Sequence, residues 1–178
     1  HQAYSGKKLQ YYDPDRDEHY VPYVVETALG LDRLVLAMLA RAYDHEELAG
    51  GSSREVLRFP PAIAPVKVAI LPLVRKDGLP EIAGSIYQEL KYHFNCHYEE
   101  KDAIGKRYRR MDAIGTPYCI TIDHQTKEDQ TVTLRYRDSM EQKRVHTDTL
   151  LNEMRDLVQL ETLVKAWERT LQQQATQS

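Results

Sequence analysis

The sequence is poor in the features that mark several large classes. Nowhere does it hold about 18 consecutive apolar residues, so no membrane-spanning helix is expected. Cysteine is confined to Cys96 and Cys119, which are far apart and form no CxxC pair or Cys/His spacing. That excludes a zinc module and leaves two buried free thiols, which fits the reducing cytoplasm expected as the location. No GxGxxG and no GxxxxGK[ST] occurs, so the common glycine-rich nucleotide cradles are absent. Positive charge is not in excess. The formal net charge is -3, so any nucleic-acid contact must come from a local patch. His1-Gln2-Ala3-Tyr4 has neither a basic nor an apolar signal region, and with no starting methionine the chain is expected to be a piece of a longer protein. No internal repeat is present.

What is there is an ordinary globular composition, 42% hydrophobic and 29% charged. At 178 residues it suits one full domain with a remainder. The remainder is expected at residues 1–44: an antiparallel hairpin from Leu9-Gln10-Tyr11-Tyr12 and Tyr20 to Glu26, then a helix from Gly30 to about Asp44, where Leu31, Leu34, Val35, Met38 and Leu39 recur at helical spacing. Residues 45–65, with Gly50-Gly51-Ser52-Ser53 and Pro60-Pro61, read as a linker. From residue 66 to about 165 strands alternate with helices. The pattern predicts an α/β domain with a central mixed sheet of about five strands flanked by helices. Val66 to Val74 reads as a strand covered on both faces. A final helix is expected from Thr147 at least to Trp167, with 166–178 as a tail.

Two segments carry chemistry. Glu26-Thr27-Ala28-Leu29-Gly30-Leu31-Asp32-Arg33 joins a strand to a helix through glycine. A carboxylate, small residues and an arginine in the first helical turn suit a zwitterion beside a phosphate. An ordinary turn with a surface salt bridge is the plainer alternative. The second segment, Ile104 to Ile114, is a basic helix in an acidic chain. Lys106, Arg107, Arg109 and Arg110 give it the electrostatics of a phosphate contact, and Tyr108 between them offers a ring for an unpaired base. A solvated face balanced by Glu99, Asp102 and Asp112 is the alternative. The strand Thr131 to Asp138 then alternates, placing Thr133, Arg135 and Arg137 on one face, with Gln142 and Arg144 across the turn. Such a face can hydrogen-bond base edges of single-stranded RNA. Cross-strand salt bridges with Asp138 and Glu141 would use the same residues.

The residues also resemble a known family. Glu26 to Arg33, followed by Leu34-Val35-Leu36-Ala37-Met38-Leu39, resembles motif 3 of the class II aminoacyl-tRNA synthetases in its glycyl form. Ala64 to Leu73, Gly105 to Pro117 and Thr131 to Gln142 resemble the anticodon-binding domain shared by the glycyl, histidyl, prolyl and threonyl synthetases. The resemblance implies that Arg33 is catalytic on the ATP phosphates, with Gly30, Leu31 and Asp32 on the adenosine side. Glu26, Thr27, Ala28, Leu29 and Gly30 would line the glycine pocket. Lys106, Arg107, Tyr108, Arg109, Arg110, Arg135, Arg137, Gln142 and Arg144 would contact the anticodon. Ala28 and Ala113 stand where the family usually has Ser and Glu. The implied partners are glycine, ATP with magnesium, and a tRNA with a glycine anticodon, in a homodimeric intact enzyme. No metal ligand is assigned within the chain. The first two class II motifs are missing, so the chain alone is expected to be inactive and to bind ATP weakly. A non-enzymatic RNA-binding or dimerising module derived from such a synthetase is the competing reading.

Overall fold

In the computed structural model the chain divides into two units, residues 1–35 and Leu36 onward. The structure describes residues 1–48 and 50–176, the last two as backbone only. Ala49 of the expected linker, with Gln177 and Ser178 of the expected tail, lies outside the described residues.

The first unit opens with α1 (Gln2–Ser5), then β1 (Tyr11–Asp13) and β2 (Glu18–Tyr20), which pair antiparallel with Tyr11 opposite Tyr20. Their turn is pinned by Asp13, which accepts from the Asp15 amide at 3.0 Å. The expected second strand, Tyr20 to Glu26, ends at its first residue. The register explains why. Extending the ladder past Tyr20 requires Gln10, Leu9 and the residues before them opposite; residues 6–10 form no strand, and the chain turns at Gly6 with φ 68, opposite Val25 in that register. Pro22 also lacks the N–H a ladder needs. Residues 21–30 therefore carry no regular structure. α2 (Leu31–Ala42) follows.

The stretch expected as a linker is folded, a correction to the sequence reading. β3 (Tyr43–Glu47) and β4 (Ser53–Leu57) form an antiparallel hairpin. Gly50 and Gly51, at φ 90 and 76, supply the turn conformation that only glycine adopts cheaply. Alternation in β4 buries Arg54 and Val56. Phe59, Ala42 and Ala64 then form a small apolar cluster with Met38 and Leu57.

The remaining strands make one mixed sheet, as the pattern predicts. β5 (Val68–Pro72), α3 (Leu79–Leu90), β6 (Cys96–Tyr98), α4 (Ile104–Ala113), β7 (Tyr118–Ile122), α5 (Thr126–Asp129), β8 (Thr131–Tyr136) and β9 (Gln142–His146) follow in chain order. In space the order is β6-β5-β7-β8-β9. β5 is parallel to β6 and β7, and β8 is antiparallel to β7 and β9. β5 and β7 are buried along their whole length because helices cover both faces.

One face carries the main core. Val68, Ile70, Ile120, Ile122, Val132 and Leu134 meet Leu79, Ala83, Ile86 and Leu90 of α3. They also meet Leu150, Met154 and Val158 of α6 (Thr147–Val158). The other face is smaller: Ala69, Leu71 and Cys119 against Met111 of α4, with Ile104 and Tyr108 alongside. The single long C-terminal helix expected from Thr147 is two helices. α6 stops at Val158, Gln159 is extended, and α7 (Leu160–Thr176) begins anew. Thr162 donates its hydroxyl back to the Asp156 carbonyl at 2.8 Å, closing an orphan acceptor at the break.

Candidate nucleic-acid interface

The polar chemistry of the second unit gathers where α4, the β3–β4 hairpin and the α4-side face of β7, β8 and β9 meet. Helical spacing splits the charges of α4 between two flanks. On the flank toward β5 and β6, Arg107 is buried and donates to the carbonyls of Pro72 (2.6 Å), Leu73 (3.0 Å) and Glu99 (3.3 Å). These acceptors are neutral, so burial lowers its pKa. Arg110 grips Glu99 at 2.5 and 3.2 Å and Asp102 at 3.0 Å.

On the flank toward β8, Asp112 is fully buried and takes Arg135 at two points, 2.8 and 3.0 Å. It also accepts from Arg54 at 2.9 Å. Arg54 donates in turn to Glu46 (2.6 Å) and to the Arg137 carbonyl (2.9 Å). Burial pulls the Arg135 pKa down, but Asp112 outweighs it and the net shift is upward. The Arg135 guanidinium lies 4.7 Å from the centre of the Tyr108 ring, and the Tyr108 hydroxyl bonds Thr121 at 2.6 Å. Arg137 is buried too. It donates to the carbonyls of Leu57, Gly115 and Phe59 at 2.9–3.0 Å and to both Asp138 oxygens at 2.8 Å. Gly115 has φ 81, and a Cβ there would stand 2.5 Å from Phe59 Cδ2.

These placements correct the sequence expectation. Arg107, Arg135 and Arg137 do not face solvent, the Tyr108 ring is covered by Arg135, and Arg110 is committed to carboxylates. Strand alternation gave the right face for Arg135 but not what lies across it. Asp112 and Arg54 arrive there from elements distant in sequence. Sequence reasoning missed Arg54 altogether, since its segment read as linker; period-two alternation in Ser53–Leu57 was the available signal.

Among the described residues the side chains of Lys106, Arg109 and Gln142 make no hydrogen bond or ion pair. Lys106 and Gln142 are exposed and Arg109 half-buried. At 100° per residue, Arg109 lies on the flank of α4 that carries Tyr108 and Asp112 toward β8. The face of β8 and β9 beyond that flank is polar and uncovered: Thr131, Thr133, Arg144 and His146 are half-buried, Gln142 exposed. Arg144 is fixed on this face. Its Nε donates to Thr131 Oγ1 (2.8 Å), Nη1 to Asp123 (2.6 Å) and Thr133 Oγ1 (2.9 Å), and Nη2 to the Thr131 carbonyl (2.8 Å). Four of its five N–H groups are thus used; the fifth, on Nη2, makes no hydrogen bond, though Nη2 stands 3.7 Å from the Asp129 carboxylate as an ion pair. Burial raises the Asp123 carboxyl, but Arg144 and Thr126 outweigh it and hold it below the ordinary carboxylate range.

The first unit presents its motif differently. Glu26, Thr27, Ala28, Leu29, Gly30, Leu31, Asp32 and Arg33 are all exposed. Among the described residues neither the Glu26 nor the Arg33 side chain makes a hydrogen bond or ion pair. A Cβ on Gly30 would meet only the Arg33 side chain, at 3.8–3.9 Å. Among the described residues no three His, Cys, Asp or Glu side chains converge as a metal site. No described helix is long and apolar enough to cross a membrane. Burial pushes the Cys96 thiol up to about 11 and Cys119 up to about 12, which makes both inert at neutral pH. A cavity of about 800 Å³ lies between α2 and the segment after β4, lined by Met38, Arg41, Asp44, Arg58, Phe59 and Ile63. None of the residues of the open sheet face lines it.

Fold and site together define an α/β domain whose α4-side sheet face is covered over β5 and β7 and polar and open at its β8–β9 end. Residues 67–157 match the anticodon binding domain family, and the chain belongs to that family. Among curated relatives, the glycine–tRNA ligase of Treponema denticola is 51% identical over 160 residues, covering 87% of this chain and 36% of the relative. That of Clostridium tetani is 54% identical over 159 residues, covering 89% and 34%. The chain thus spans about a third of the length of the relatives it matches. The resemblance to the glycyl branch read from the residues is borne out. A crystal structure of the RNA binding domain of threonyl-tRNA synthetase from Cryptosporidium parvum Iowa II superposes with a TM-score of 0.52. It covers 57% of this chain and 26% of its own at 23% identity, and shows the shared fold.

Proposed function

We propose that this chain is the tRNA-reading part of a glycine–tRNA ligase. The observation that carries the proposal is the uncovered polar face of β8 and β9, in a chain more than half identical to such ligases over most of its length. On this reading the intact enzyme joins glycine to ATP, releasing pyrophosphate, and passes the glycyl group from the adenylate to the terminal ribose of its tRNA. Arg33 meets the ATP phosphates as a fixed charge, beside Gly30, Leu31 and Asp32. Glu26 receives the glycine ammonium, and Thr27, Ala28 and Leu29 line its pocket. Magnesium accompanies the triphosphate.

The anticodon contacts follow the geometry. Lys106 and Arg109, free of partners, face RNA phosphates. Gln142 and the last N–H of Arg144 meet base edges. Arg107, Arg110, Arg135, Arg137 and Tyr108 hold α4, the hairpin and the sheet in register behind them. Arg144 cannot make a two-point contact without giving up an existing bond, so its share is one charge-assisted hydrogen bond, worth about 1.5–3 kcal/mol.

The test is Arg144→Gln in the full-length protein, measured against a tRNA with a glycine anticodon and one with a swapped anticodon. A loss confined to the first supports the reading. Equal loss for both reduces the face to a phosphate contact. Pyrophosphate exchange driven by glycine, and not by proline or threonine, tests the amino-acid assignment.

A further inference from the structure

The same face carries a residue to which no role has been given. Alternate residues of β9 share the α4 side: Gln142 opposite Arg135, Arg144 opposite Thr133, and His146 opposite Thr131. β9 is the edge strand of the sheet, and the His146 side chain is 42% exposed. It also caps α6: its Nδ1 accepts the Asp148 amide at 3.3 Å. A nitrogen that accepts cannot carry the proton, so the cap leaves the neutral ring protonated on Nε2. Nε2 has no partner among the described residues.

We propose that His146 is a third RNA-reading residue of this face, donating Nε2–H to an acceptor on the edge of an unpaired base. The proposal rests on the anticodon-face reading above. The row then runs amide, guanidinium, imidazole, spaced by about 7 Å per two residues of strand. It presents a donor at each position and so selects bases rich in acceptors. The helix cap does two things at once: it ends the strand and fixes which ring nitrogen faces the ligand.

The test uses His146→Asn in the full-length protein. Asparagine is among the best N-caps and keeps the bond to the Asp148 amide, but it is too short to present a donor where Nε2 stands. The thermal midpoint should stay unchanged. Affinity for a transcribed tRNA with a glycine anticodon should fall about tenfold, the scale of one lost hydrogen bond. Affinity for the swapped-anticodon tRNA, and the salt dependence of both, should hold. Equal loss for both tRNAs, or no loss, overturns the assignment. Arg144→Gln is run alongside. If it discriminates between the tRNAs and His146→Asn does not, only the His146 role fails. If neither discriminates, the anticodon-face reading fails with it. Nitrogen-15 NMR of the free protein with the ring neutral supplies a second readout. It should show the proton on Nε2. A proton on Nδ1, where the Asp148 carboxylate lies 3.5 Å away, would break the cap and overturn the proposal.

Discussion

Arg33 of the first unit and the buried arginines of the sheet domain are used in opposite ways. In the sheet domain Arg54, Arg107, Arg135 and Arg137 are buried, and their donors are spent on carboxylates and main-chain carbonyls. In the first unit Arg33 is exposed, and its side chain makes no hydrogen bond or ion pair among the described residues. A guanidinium carries five donors in a rigid plane. Spent inward, they fix distant segments at one geometry: Arg137 alone ties the carbonyls of Leu57, Phe59 and Gly115 to the end of β8. Left outward, they are available to a ligand. Sequence shows only that an arginine is present. Which use it serves is decided by what the fold brings within reach.

The largest effect that would break this contrast is at Asp112. Asp112→Ala leaves Arg54 and Arg135 buried without their shared carboxylate, and should cost about 3–5 kcal/mol of stability. Denaturant unfolding should show the midpoint falling with an unchanged slope. A cost under about 1 kcal/mol, the range of an exposed ion pair, would mean the buried cluster does not hold the hairpin to the sheet.

Arg33→Ala should give the reverse pattern. Stability should move by less than about 0.5 kcal/mol, as for surface changes in general. Adenylate formation by the full-length protein should slow by about 10²–10³, the scale of a lost charge-stabilising donor. Lost stability with unchanged adenylate formation would make Arg33 structural and remove the contrast.

The sheet domain was largely legible because its elements announce themselves. The apolar run before Pro72, the helical spacing of Ile82, Ile86 and Leu90, and the alternation of Thr131 to Tyr136 each match one period. The first unit was less legible. Tyr20 to Glu26 has strong strand propensity, yet a strand exists only where a partner is in register, and residues 6–10 opposite form no strand. The hairpin in the expected linker was hidden by its charge. His45, Glu46 and Glu47 look solvated until the arginines that pair with Glu46 are in place. The candidate site was legible in its location but not in its members. Parity put Arg135 on the α4 side, but only the three-dimensional arrangement shows Asp112 binding it there, with Gln142 exposed and Arg144 and His146 half-buried on the same face.

The smallest effect sharpens the comparison within α4 itself. Lys106 and Arg110 are one helical turn apart in a run that reads as uniformly basic, yet the structure separates them. Arg110 is held by Glu99 and Asp102 in a half-exposed pair, so removing it should cost at most about 1 kcal/mol of stability. Its charge is already balanced locally, so the salt dependence of tRNA binding should barely change. Lys106 has nothing to lose on folding, and Lys106→Ala should leave the unfolding midpoint where it is. If Lys106 meets a phosphate, one counterion fewer is released on binding, and the slope of log K against log salt should flatten by about 0.7 for a single-stranded contact. That flattening should be the same for glycine and swapped anticodons, because a phosphate carries no sequence. Titrations at three salt concentrations with both variants and both tRNAs measure all of this. A flattened slope for Arg110→Ala with none for Lys106→Ala would reverse the assignment, and would mean that the carboxylates around Arg110 let go of it when RNA arrives.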